Sequence, residues 1–167
     1  TSSGLGNISF AARVDFPTGA GAGPYSIAVG DIDLDGKDDL VTSNANNNSV
    51  SVFRNTSSGV GNISYAARVN FSTGTVPRSV SIADLDGDGK PDLAVTAESP
   101  DIVSIFRNTS SAGSISFAAR QDFVTDTNPW LVTIGDLDGD GKPDVATANE
   151  GGVNVSVLHN TSSGVGN

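Results

Sequence analysis

Four aspartates and a lysine recur three times along this chain in one arrangement, reading DIDLDGKDD from Asp31, DLDGDGKPD from Asp84 and DLDGDGKPD from Asp136. The copies stand 53 and then 52 residues apart. A calcium ion takes roughly six to eight oxygen ligands in a flexible shell, so a short turn that binds one must deliver several oxygens without crowding its own backbone. In the first loop Asp31, Asp33 and Asp35 are expected to point inward, Gly36 to permit the sharp reversal, Lys37 to offer its carbonyl with its side chain in water, and Asp39 to close the shell. The second loop repeats this with Asp84, Asp86, Asp88, Lys90 and Asp92, and the third with Asp136, Asp138, Asp140, Lys142 and Asp144. Magnesium suits the pattern less well, because it prefers a smaller octahedral shell and keeps its waters.

Asp and Gly are also common in ordinary turns. Here twelve of the nineteen acidic residues occupy the twelve expected ligand positions, where unneutralised carboxylates would repel one another, so cation binding is the stronger expectation, with one Ca2+ per repeat and three per chain. An EF-hand is excluded. Its last position needs a bidentate Glu leading into a helix, whereas Thr42, Val95 and Thr147 stand there, inside segments that alternate like strands.

The elements that must hold these loops repeat with the same period. Repeats run 1–55, 56–108 and 109–160, within one domain over 1–167, and 161–167 open a further copy. Each contains four short stretches of strand character, which in the first copy are ISFAARVDF, SIAVGD, DLVTSN and SVSVFRN, separated by turn-rich segments. Nothing reads as a helix. Repeats of about 50 residues with four antiparallel strands each indicate an all-β fold of β-propeller blades; a solenoid, the competitor, wants a shorter coil and parallel strands.

The net charge of −10 argues against nucleic acid or an anionic membrane as partners, and three bound calcium ions would cancel more than half of it. There is no cysteine and no apolar run long enough to span a bilayer. The chain starts without a methionine or a signal peptide, which suggests a mature product, an excised fragment or an engineered or reconstructed chain. An enzyme is the least expected class. The lone His159 replaces Arg54 and Arg107 of the other repeats at a strand end, with no nucleophile or metalloprotease motif around it.

The stretches Ser26 to Leu40, Ser79 to Leu93 and Leu131 to Val145 resemble the FG-GAP or VCBS repeats of integrin α-subunit propellers, bacterial secreted proteins and fungal lectins. The resemblance covers essentially the whole chain, although of the Phe-Gly and Gly-Ala-Pro signatures only the Phe and Pro remain. It implies that SIAVGD, SVSIAD and LVTIGD line the ring's channel, that the acidic loops and the TSS-containing loops share its lower face, and that the more variable loops lie on the upper face. Tyr25, Arg78 and Trp130 follow the proline there, in equivalent positions with three chemistries, and are the candidate ligand-binding residues; neutral drift of exposed loops, and core or inter-blade packing, are the alternative readings.

Three blades are too few for rings of roughly four to eight. The chain opens with a strand that would finish a blade and closes with the strand before it, so a two-fold homodimer of three repeats each, exchanging first strands, would give six blades. Origin as a fragment of a longer array is the alternative. Two functions follow: a calcium-stabilised scaffold whose work is assembly, or an extracellular calcium-dependent binder of carbohydrate or protein. Weak calcium loops favour a secreted or cell-surface location, where calcium is millimolar.

Overall fold

The computed structural model describes residues 8–164. The TSSGLGN that opens the first repeat and residues 165–167 of the closing stub lie outside them. Val, Ile, Thr and Phe alternate with small polar residues between Gly- and Asn-rich turns, and these stretches form eleven strands in three antiparallel sheets. The first sheet is β1 (Pro24–Gly30), β2 (Asp39–Asn44), β3 (Ser49–Phe53) and β4 (Val69–Ser72). The second is β5 (Thr75–Ala83), β6 (Asp92–Ser99), β7 (Ile102–Phe106) and β8 (Gln121–Val124). The third holds β9 (Pro129–Gly135), β10 (Asp144–Asn149) and β11 (Asn154–Leu158), without a fourth strand. One turn of 3-10 helix at Ala45–Asn47 is the only helical segment among the described residues.

Each sheet is a blade of sequential strands, and blades pack face to face because alternate side chains of a strand point to opposite faces. Ile32, Val41, Val50 and Val52 of the first blade meet Val80, Leu93, Val95 and Phe106 of the second. Ala94 and Val103 then point the other way, to Val132 and Val145 of the third. The sequence repeat and the blade are out of step by one strand. The ISYAARVNF and ISFAARQDF stretches add β4 and β8 to the blade of the preceding repeat, through the Asn55–Tyr65 and Asn108–Phe117 bridges and then the ladders Ser49–Ser72 to Val52–Val69 and Ile102–Val124 to Ile105–Gln121.

The first copy of that stretch departs from the expectation of a strand. Ile8–Phe16 forms no ladder, and Phe10 is 93% exposed. The third strand of a preceding blade, which would pair with it, is absent from the described residues. Two flanks are bare, because among the described residues no blade stands before β1 and none after β11. Ile27 on β1 is 64% exposed, whereas its equivalents Val80 and Val132 are 5% and 7% exposed beneath the blade before them. At the far end Val155 on β11 is 70% exposed, whereas Val50 and Val103 are fully buried.

Candidate metal centre

The three acidic loops join β1 to β2, β5 to β6 and β9 to β10. In each, the sharp reversal falls on a glycine in the left-handed region, Gly36 at φ 85°, Gly89 at 84° and Gly141 at 86°. A second left-handed position precedes it, filled by Gly87 and Gly139 in two loops but by Leu34, φ 58°, in the first. Backbone amides hold the carboxylates. Asp31 accepts from Asp35 and Gly36, Asp84 from Gly87, Asp88 and Gly89, and Asp136 from Gly139 and Gly141.

The closing aspartates are fixed from two sides. Asp39 accepts from the N–H of Ile32 at 3.1 Å and of Asn55 at 2.7 Å, Asp92 from Leu85 and Asn108, and Asp144 from Leu137 and Asn160. As a result Asp31, Asp33 and Asp39 converge, as do Asp84, Asp86 and Asp92, and Asp136, Asp138 and Asp144, each trio offering oxygens within 4.8 Å of one another. Asp35, Asp88 and Asp140 stand beside these trios, each accepting from the N–H of the lysine two residues on. The lysine side chains are not wholly in water: Lys90 donates to the carbonyl of Ser110, and Lys37 and Lys142 fold back to within 3.9 Å and 3.8 Å of Asp35 and Asp140.

The electrostatics follow from burial. Desolvation pushes the Asp92 carboxyl up to about 6 against the lowering effect of its two amides, with Asp86 and Asp88 adding repulsion. Asp39 is raised for the same first reason. Asp144 is lowered, because the Asn160 and Leu137 amides win where the third loop stands on the bare flank, with Leu137 57% exposed against 0% for Ile32 and 9% for Leu85.

The donor set fits a hard cation. Amide donors alone would satisfy a turn of aspartates, yet Asp86 Oδ2 is buried inside its trio with no hydrogen-bond partner. An anionic oxygen in that position is costly until a cation or proton meets it. Residues outside the acidic pattern also serve these loops. His159 Nε2 stands 2.9 Å from Asp138 and 3.7 Å from Asp140, and Arg54 leans over Asp35 in the same way.

Asn108 and Asn160 tie neighbouring loops together. Asn108 donates to the carbonyls of Pro91 in its own blade and Ile32 in the preceding one, and Asn160 to Pro143 and Leu85, all at 2.8 Å. Asn55 reaches only the carbonyl of Asp38. The one sign of this in the sequence is that Asn ends all three repeats. The TSS-containing loops share this end of the molecule, as Gly113 N–H donating to Asp33 and Lys90 donating to Ser110 demonstrate.

At the opposite end, Tyr25, Arg78 and Trp130 come together. The Arg78 guanidinium lies 4.3 Å from the centroid of each ring, between them, and pairs with Glu98. Three chemistries at equivalent positions thus form one stack that bridges three blades.

Consecutive antiparallel blades, each with an Asp-rich loop between its first two strands, define a blade-repeat protein with a cation-type loop in every unit. The chain belongs to the FG-GAP-like repeat family, whose model matches residues 33–95 and again 86–147, more than half of its length. No curated protein matches it.

Proposed function

We propose that this chain is a calcium-stabilised β-propeller scaffold whose work is assembly, with one Ca2+ in each acidic loop. The observation that carries the reading is the unpartnered, buried Asp86 Oδ2 within a trio of carboxylates. Asp31, Asp33 and Asp39, with their counterparts in the other loops, would hold the ion, assisted by Asp35, Asp88 and Asp140 and by the carbonyls of Lys37, Lys90 and Lys142. Calcium neutralises carboxylates that otherwise repel one another across a turn joining two core strands, and this joins metal binding to blade stability. No catalytic role is assigned to any residue.

Bare apolar flanks at both ends of the stack support closure into a ring with a second copy, since an open sheet edge invites association. A secreted or cell-surface setting suits loops of this kind, which need abundant calcium. Among the described residues no helix is long and apolar enough to cross a membrane.

Thermal melting in calcium and in EDTA tests the reading. At a hundred times its dissociation constant each bound ion adds about 2.7 kcal/mol. Melting that is unchanged by chelator overturns it.

A second reading rests on the stack of Tyr25, Arg78 and Trp130. Tyr25 keeps more than half its surface in water around a cation held in place, and a carbohydrate or protein ligand could use that platform. Glycan-array binding that is lost in Trp130→Ala would support a carbohydrate ligand; a blank array in calcium would remove it.

A further inference from the structure

Between the second and third blades lies a cavity of about 540 Å3 beside the end of β11, Val157 and Leu158, where the third blade has no fourth strand among the described residues. Phe123 and Leu158 are among the residues that line it. Their equivalents one blade earlier are Phe71 and Phe106, which hold Phe117 at ring-centroid distances of 4.9 Å and 6.1 Å. One blade earlier, the place that matches this cavity is filled by the Phe of an ISFAAR segment, Phe117. The chain has three such segments: Tyr65 and Phe117 are already seated, and Phe10 stands in solvent.

The segment that carries Phe10 is already docked on one side. Phe16 meets Tyr65 at 4.9 Å and near a right angle, as Phe71 meets Phe117, and Arg68 donates to the carbonyl of Pro17 as Arg120 does to Ser72. Phe16 and Pro17 thus lie against the first blade as the outer strand of a preceding blade would. Arg13 pairs with Asp15 as Arg120 pairs with Asp122. What they lack is a β11 on the other side. Own-chain pairing would require β11 to reach across the whole stack, since it lies at the opposite flank.

We propose that residues 10–17 of a second copy complete the third blade, with Phe10 in the Phe123–Leu158 socket and a fixed register along β11. This rests on the scaffold reading above and specifies its partner. In the first two blades Val50 faces Phe71 and Ser51 faces Asn70, and Val103 faces Phe123 and Ser104 faces Asp122. The same register sets Val155 opposite Phe16, Ser156 opposite Asp15 and Val157 opposite Val14. The chemistry agrees: Ser51 donates to Asn70 and Ser104 to Asp122, at 2.8 Å and 2.7 Å. Ser156 accepts from Asp126 N–H and from the Asn149 amide, so its own proton is available to Asp15. Arg13 would then reach the carbonyl of Val124, and Asn55 the carbonyl of Leu137, repeating the tie that Asn108 makes to Ile32.

The chain has no cysteine, so introduced thiols report cleanly. Chains carrying only Val14→Cys and chains carrying only Val157→Cys are mixed in calcium and oxidised. The expected result is a covalent dimer, formed by neither variant alone and about tenfold less from Val14→Cys with the off-register Val155→Cys, since disulfides need Cα atoms within roughly 7 Å. In parallel, Phe10→Ala should weaken self-association about a hundredfold while leaving the melting of the dilute single chain unchanged. No cross-link from the in-register mixture, or equal cross-linking off register, overturns the exchange, as does a Phe10→Ala chain that associates like the parent. Chelator-sensitive melting with no cross-link would leave the scaffold standing without this partner; chelator-insensitive melting would overturn the scaffold whatever the cross-link.

Discussion

The side-chain amide of Asn108 donates to the carbonyl of Ile32, 76 residues earlier and in the preceding blade, at 2.8 Å. The same amide satisfies the carbonyl of Pro91, the Asn108 N–H holds Asp92, and the Asn108 Oδ1 accepts from Ser110. One residue thus connects an acidic loop to its neighbour and to the TSS-containing loop that follows. Asn108→Ala removes the three side-chain bonds, to Ile32, Pro91 and Ser110, while the backbone N–H keeps Asp92, and should cost about 2–4 kcal/mol. Asn55→Ala, whose amide reaches only Asp38, should cost about 1 kcal/mol in the single chain. Urea unfolding of the two variants checks the difference; equal losses would contradict the inter-blade tie.

The acidic loops give the metal-free chain an unusual pH response. Asp92 has its carboxyl pushed up to about 6 from 3.8, so between those values the folded chain carries a proton that the unfolded chain has released. Its contribution is therefore fully present below the unfolded value and is lost as pH rises through about 6, and Asp39 acts in the same direction. Asp144 acts oppositely: its contribution is present above the unfolded value and is lost as pH falls through its lowered folded value. In EDTA, melting temperature should rise on acidification from pH 7 toward about pH 5, and Asp92→Asn should flatten that rise. A metal-free melting temperature that climbs steadily from pH 5 to pH 7 would contradict the assignment. Calcium must displace the same proton, so affinity at the second loop should fall below about pH 6.

Leu34 occupies a left-handed position that Gly87 and Gly139 fill in the other loops, and its side chain is half in water. Leu34→Gly should stabilise by about 1 kcal/mol, because relief of the left-handed penalty outweighs the lost side-chain contacts and the added freedom of the unfolded chain. Val153, at φ 51° and 93% exposed where Asn48 stands in the first blade, should gain similarly from Val153→Asn. Calorimetry checks both, and a loss of stability in either would show that the loop needs the side chain.

Much of this was legible in the residues. Repeat spacing marked three blade units, alternation located β2 and β3, and the Asp pattern located the loops. Two features were hidden because they depend on distant parts of the chain. Asn55, Asn108 and Asn160 look like turn residues until the neighbouring blade supplies Ile32 or Leu85. Tyr25, Arg78 and Trp130 look like a drifting surface until β1, β5 and β9 set them side by side. Ile8–Phe16 has every mark of a strand, yet strand formation needs a partner that local sequence cannot provide.

Arg78 between two rings should stiffen the end of the stack opposite the acidic loops. Arg78→Ala removes the stack and leaves Glu98 without its cation, at an expected cost of about 1–2 kcal/mol, whereas Arg78→Lys should recover only part of it. Indole fluorescence of Trp130, the only tryptophan, reports the change directly. An unaltered emission spectrum in Arg78→Ala would contradict the stack.

Solution mass by light scattering in calcium tests closure with a second copy most directly. A closed pair predicts about 34 kDa, twice the 16.9 kDa of one chain, with dissociation or unfolding in EDTA. A stable, well-behaved single chain of 16.9 kDa in calcium would contradict it.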